Sequence, residues 1–225
     1  MSIMYSENNH LTLIGKVTSD KTFSHETYGE KFYSFDLEVV RLSENSDIIP
    51  ITISERLLPE VNLEIGTKLA IDGQFRSYNN YENEKNRLIL TVFAKDVVEV
   101  KDETEEQDPK ASNEIILIGY LCKKPIYRQT PFGREIADIL LAVNRAYNKS
   151  DYIPCIAWGR NARFCQNVDV GTEVKITGRI QSRRYEKKQE DGSTQTRVAY
   201  EVSVSSMEIV EQSEEVNAET QEVNE

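Results

Sequence analysis

At 225 residues and 39% apolar, the chain can bury two modest cores, each near the usual lower size of an independent domain. Its formal net charge of −11 argues at first sight against a nucleic-acid partner, and its longest apolar runs, such as Ile115-Ile116-Leu117-Ile118, fall far short of the roughly 20 residues that a bilayer demands. Cys122, Cys155 and Cys165 form no Cys-x-x-Cys pair, which speaks against a zinc knuckle or a disulfide framework; with no amino-terminal signal segment visible, a cytoplasmic, nucleoid-associated setting is expected.

Taken in chain order, the elements pass through one unit and then through it again. A shift of 104 positions places Leu13-Ile14-Gly15 on Leu117-Ile118-Gly119, Tyr28-Gly29 on Phe132-Gly133 and Arg41 on Arg145. It also places Ser46-Asp47-Ile48-Ile49-Pro50 on Ser150-Asp151-Tyr152-Ile153-Pro154. A repeat of this length is a domain, because solenoid units are only about 20–50 residues long. The first unit is assigned to residues 1–103, an acidic linker to 104–112, the second unit to 113–210 and an acidic disordered tail to 211–225.

Each unit reads as five short strands and one short helix. In the second unit the strands are expected at Ile115 to Leu121, Glu135 to Arg145, Tyr152 to Trp158, Glu173 to Arg183 and Thr196 to Ile209. The helix is expected at Asn161 to Asn167, and its counterpart in the first unit at Glu55 to Leu63. Alternation through Val174, Ile176 and Ile180 turns one strand face inward, and Gly178, like Gly73, relieves crowding where a strand coils. The predicted class is therefore all-β: two tandem five-stranded OB-fold barrels, each with one short helix, because closure removes sheet edges. The loop after the fourth strand, Arg183 to Gln195, is longer than its counterpart at Tyr78 to Asn86 and is expected to form a nucleic-acid finger.

The charge is distributed unevenly. Residues 1–100 hold 10 basic and 16 acidic side chains, whereas residues 111–210 hold 15 and 11; residues 211–225 contain six glutamates and neither Lys nor Arg. The second unit is thus basic. It also interleaves cations with aromatics: Tyr127, Arg128, Phe132, Arg145, Tyr147, Tyr152, Trp158, Arg160, Arg163, Arg183, Arg184, Tyr185, Lys187, Lys188 and Arg197. Unpaired bases need flat rings to stack on, and a flexible backbone needs a cationic track. Across the repeat Tyr147 faces Ser43, Tyr152 faces Ile48 and Trp158 faces Ser54, so these rings are not requirements of the fold. The first unit would serve as an assembly surface, or as a weak second site through Phe23, Tyr28, Phe32, Tyr78 and Tyr81.

Five ordered motifs carry a resemblance: Leu117-Ile118-Gly119, Arg128-x-Thr130-Pro131-x-Gly133, Leu140 to Arg145, Ile153 to Arg160, and Gly178 to Tyr185. They resemble the bacterial single-stranded DNA-binding protein family. That resemblance implies stacking by Tyr147, Tyr152, Trp158 and Tyr185 and backbone contacts from Arg128, Arg160 and Arg183. It also implies four barrels per assembly, hence a homodimer of this chain, acting in DNA replication, recombination and repair. The chain departs from the pattern at Asp169-Val170, where cations are common, and at its end, Gln221 to Glu225, which lacks the apolar tip that recruits replication or repair proteins. The acidic tail is expected to compete for the basic groove.

No phosphate-binding glycine loop is present, and His10 and His25 sit in no metal-ligand spacing, so neither catalysis nor a cofactor or metal is expected. The expected ligand is single-stranded DNA, with RNA as the alternative polynucleotide, and no membrane partner is expected. The competing reading is a protein-interaction scaffold whose barrels hold no nucleic acid.

Overall fold

The computed structural model describes residues 8–41, 43, 45–82, 85–101, 112–188 and 192–210; side chains 80–86, most of the linker and the tail lie outside the described residues. The first unit comprises β1 (Asn9–Val17), β2 (Thr22–Thr27), β3 (Glu30–Val40), β4 (Ser46–Ser54), β5 (Lys68–Glu82) and β6 (Lys85–Glu99). The second comprises β7 (Asn113–Leu121), β8 (Ile126–Gln129), β9 (Glu135–Arg145), β10 (Lys149–Trp158), α1 (Arg160–Cys165), β11 (Glu173–Lys188) and β12 (Thr194–Ile209).

Each unit closes into an OB-fold barrel. In the first, β1 pairs with both β5 and β3, and β4 meets β6 in a short parallel pairing centred on Ile51 and Val92. In the second, β7 pairs with β11 and β9, and Cys155 of β10 faces Val202 of β12. The repeat is kept to the residue: Leu37 faces Ile49 in one barrel and Leu141 faces Ile153 in the other. Inward positions are apolar, with Leu11, Leu13, Ile51 and Phe75 buried in the first barrel and Ile115, Leu117, Ile153 and Ile176 in the second.

Two expectations are corrected. Each barrel carries a sixth strand, β2 or β8, which the hydrophobic pattern misses because almost every residue in it is solvent-facing; these strands exist only by pairing with β3 and β9. The helix expected at Glu55 to Leu63 is a single 3-10 turn, Leu58–Glu60. Pro59 lies in the middle of that stretch, where it removes a helical hydrogen bond and clashes with the carbonyl four residues back. The second barrel has no proline there and forms α1.

Gly73 and Gly178 both sit at bulges. A Cβ would lie 2.4 Å from the Phe93 carbonyl oxygen at Gly73 and 2.3 Å from that of Ser203 at Gly178, so only glycine lets the strands approach. The hairpin beyond each bulge is strand nearly to its tip. The second is longer, with 26 positions from Gly178 to its facing Val204 against 21 from Gly73 to Ala94.

The barrels are joined edge to edge. β1 and β7 run antiparallel, with Asn9 opposite Leu117, Leu11 opposite Ile115 and Leu13 opposite Asn113, giving one sheet of 12 strands. Because Asn9 and Asn113 are equivalent by the repeat, this register is its own mirror under exchange of the barrels. The joint is the isologous contact of a two-fold dimer, built within one chain.

Candidate nucleic-acid interface

Along β10 the side chains of Asp151, Ile153, Cys155 and Ala157 are buried, so the two-residue period turns Tyr152, Pro154 and Trp158 outward. Tyr152 and Trp158 are 46% and 39% exposed, and their cross-strand partners on β9 are the small Ala142 and the buried Ile136, which leave the rings accessible. At the β9–β10 turn Tyr147 adopts φ +60° and is 94% exposed. A left-handed backbone costs a non-glycine residue about 1–2 kcal/mol, and Tyr147 recovers none of it by burial. Three rings therefore line one hairpin, all facing solvent.

The basic run on β11 divides by alternation. Arg183, Tyr185 and Lys187 share one face, and Arg184 and Lys188 take the other. The Arg183 guanidinium lies 5.9 Å from the Tyr185 ring centroid and 3.7 Å from Glu201. Arg160 opens α1 two residues after Trp158, beyond Gly159, and is exposed. Arg128 on β8 grips Asp138 with two hydrogen bonds of 2.9 and 3.2 Å, and its side chain is half exposed. Its hydrogen bond to Asp138 pushes the guanidinium pKa up.

Some sequence candidates have structural partners. Tyr127 packs on the core and donates its hydroxyl to Glu135 at 2.7 Å, and Arg163 pairs with the same carboxylate at 2.8 Å. Phe132 is almost fully exposed at the β8–β9 turn. In the first barrel, Phe23, Tyr28 and Tyr78 are exposed, but Phe32 is buried and stacks on His25 at 4.8 Å, which removes it from any surface site. Tyr81's side chain lies outside the described residues.

Arg145 does not stand free on this face. It lies 3.3 Å from Asp151, whose fully buried carboxylate also accepts the Ser77 backbone N–H at 2.7 Å and faces Arg76 at 3.5 Å across the barrel joint. The repeat builds the same lock again: Asp47 accepts from Arg41 at 2.6 Å, from the Ser182 N–H at 2.6 Å, and faces Arg179 at 3.6 Å. Burial alone would raise the Asp47 pKa, but the bonds from Arg41 and Ser182 outweigh it and hold the carboxyl below its usual range. Sequence reading matched Asp47 with Asp151 but gave no sign that each reaches the other barrel.

Two hairpins also enclose a groove of about 490 Å³ between the barrels, with Tyr78 and Arg87 on one side and Tyr185 and Arg197 on the other. Among the described residues no cluster of metal-binding side chains occurs, and no helix is long and apolar enough to cross a membrane.

The fold and this face define a tandem OB-fold protein with an aromatic and cationic surface on its second barrel. Residues 112–210 match the model of the single-strand binding protein family. Single-stranded DNA-binding protein B of Bacillus subtilis (strain 168) is 37% identical over 84 residues, covering 33% of this chain and 72% of that protein. Single-stranded DNA-binding protein 1 of Staphylococcus aureus (strain COL) is 38% identical over 81 residues, 33% of this chain and 48% of that one. The chain spans about half the length of most of the curated relatives it matches. The wild-type single-stranded DNA binding protein from Thermus aquaticus shares the fold, with a TM-score of 0.71 at 18% identity over 91% of this chain and 94% of that one. The chain belongs to the single-strand binding protein family.

Proposed function

We propose that the second barrel, residues 113–210, binds single-stranded DNA without strong sequence preference and protects unpaired strands during replication, recombination and repair. One observation carries the reading: Tyr147, Tyr152 and Trp158 are exposed along a single hairpin whose equivalents in the first barrel are not aromatic. Base stacking on such rings is worth about 1–3 kcal/mol per base and tolerates any sequence. Arg160, Arg183, Tyr185 and Lys187 extend the surface, with Arg128 at its edge; Arg184 and Lys188 on the opposite hairpin face serve a strand that wraps the finger. Arg145 acts through the joint with Asp151, holding the turn that carries Tyr147.

The chain has a single tryptophan, so oligo(dT) titration reads the site directly. Trp158 emission is expected to be quenched on binding, and affinity to fall with rising salt as counterions are released. Absence of quenching and of binding at low salt rejects the reading and favours a protein-interaction scaffold. Competition between matched DNA and RNA oligomers decides which polynucleotide is preferred.

A homodimer presenting four barrels is also proposed. Ile14, Ile116 and Ile118 are half-buried along the outer face of the joined β1 and β7, an apolar strip suited to a second copy. Light scattering coupled to gel filtration should give the mass of two chains, and a one-chain mass rejects the assembly.

A further inference from the structure

Tyr152 is held from the other barrel. On β10 it faces Ala142 of β9, whereas β12 pairs with β10 only at Cys155 and Ile156, so among the described residues no strand of its own barrel lies along the other side of Tyr152. Its backbone N–H donates instead to the Ser77 hydroxyl of β5, at 2.7 Å. Ser77 is buried, and its own N–H donates to the Asp151 carboxylate, also at 2.7 Å. One first-barrel residue thus grips two consecutive positions of the ring-bearing strand. The facing strand is held as well: the Asn8 side-chain amide, just ahead of β1, donates to the Asn144 carbonyl of β9 at 2.7 Å. The turn between these anchors, Ala146–Asn148, carries Tyr147.

The repeat does not copy this grip. Ser182 is the equivalent of Ser77, each standing four residues past its bulge glycine, and Ile48 is the equivalent of Tyr152. The Ser182 N–H donates to Asp47 at 2.6 Å, and its hydroxyl donates to the same carboxylate oxygen at 2.9 Å. The Ser182 hydroxyl is therefore spent on the aspartate, whereas the Ser77 hydroxyl is turned to a backbone N–H. The two locks part company at the one place where the strand bears a ring in one barrel and an isoleucine in the other.

A backbone N–H with no strand beside it needs another acceptor, and a hairpin anchored on both strands keeps its side chains at a fixed spacing. Rings fixed before a base arrives are spared the ordering cost of binding, worth a factor of about 2 to 10 in affinity for each side chain. We infer that Ser77 is a positioning residue for polynucleotide binding: its hydroxyl, reaching across the joint, sets the Tyr152 backbone so that the ring stands ready to stack. The inference rests on the proposed function. It gives the acidic first barrel a part in binding through a residue that touches no nucleic acid.

The test is oligo(dT) titration of Trp158 emission in the full-length chain. Ser77→Ala should weaken binding about fivefold. In a Tyr152→Ala background the same substitution should have no further effect, because no ring is left to position; a loss that came from a weakened fold would appear in both backgrounds. Ser77→Thr keeps the hydroxyl and should bind as the unmodified chain does. Ser182→Ala removes the equivalent hydroxyl from the other lock and should leave affinity unchanged. In the unmodified chain, amide hydrogen exchange followed by NMR should find the Tyr152 N–H slow to exchange.

Equal losses in the two backgrounds overturn the inference, as does unchanged affinity in Ser77→Ala or an equal loss in Ser182→Ala. Tyr152 exchanging as fast as exposed amides in the unmodified chain overturns it too, whether or not Ser77→Ala folds. An unmodified chain that does not bind oligo(dT) refutes the proposed function and this inference with it; slow Tyr152 exchange would persist in that case and separates the two failures.

Discussion

Asp47 and Asp151 do the same work in the two barrels, whereas Ser54 and Trp158 do not. The aspartates are equivalent by the repeat, both fully buried, and each is held between an arginine of its own barrel and one from the other. The supporting residues are exchanged without loss: Gln74 and Arg76 in one barrel become Arg179 and Gln181 in the other, and each arginine still hydrogen-bonds its glutamine neighbour. At the position of Trp158, by contrast, Ser54 is buried and bonded to Glu30. The joint is under a symmetric constraint that both barrels must satisfy. The outer face is not, so one barrel could keep rings while the other replaced them.

The largest effect is expected where the barrels are alike. Asp47→Asn leaves Arg41 and Arg179 without their buried counter-charge, and Asp151→Asn does the same to Arg145 and Arg76. Each should lower unfolding stability by about 3–5 kcal/mol in denaturant titrations. Equal losses support the pairing of the two locks, and a loss at only one site breaks it. The same joint carries a pH dependence. Because the folded pKa of Asp47 is depressed, its contribution is full above the unfolded carboxylate value of about 4 and is lost as pH falls through the lower folded value. Acid unfolding should begin below about pH 4 and be blunted in Asp47→Asn.

Next come the bulge glycines. Gly73→Ala and Gly178→Ala each place a methyl group against a carbonyl oxygen, and each should destabilise its barrel by about 1–3 kcal/mol, read as a lowered thermal midpoint. A neutral result at either one would mean that its strand can move away from its partner.

The face, where the barrels differ, governs affinity and not stability, and its effects are smaller than those of the joint. Trp158→Ala should weaken oligonucleotide binding by about 1–3 kcal/mol, similarly for different sequences, with the fold unchanged. The reverse exchange in the first barrel, Ile48→Tyr at the position of Tyr152, should strengthen binding to long oligonucleotides by at most about 1 kcal/mol. A gain as large as the Trp158 loss would show that the first barrel lacks only its rings.

The two barrels and their core were readable from the chain because the constraints are local. The two-residue period of Val174, Ile176 and Ile180 and the repeated Leu-Ile-Gly place strands and their inner faces without any knowledge of neighbours. The contrast of Tyr147, Tyr152 and Trp158 with Ser43, Ile48 and Ser54 marked the outer face for the same reason. β2 and β8 escaped because an exposed strand has no apolar period, and the 3-10 turn after Ser54 was overestimated because the run from Glu55 to Leu63 was judged by pattern while Pro59 governed its backbone.

By itself, the sequence determined the repeat, the barrel class and the outward setting of Tyr147, Tyr152 and Trp158, since each follows from periodicity or from comparison of equivalent positions. Only the tertiary structure decided that Arg145 belongs to a joint, that Asp47 meets Ser182 and Asp151 meets Ser77, and that Tyr78 and Tyr185 share one groove. The contacts of Asp47 with Ser182 and of Asp151 with Ser77 link residues more than 70 positions apart, across barrels whose relative placement is set by the β1–β7 register, and no local pattern encodes that distance.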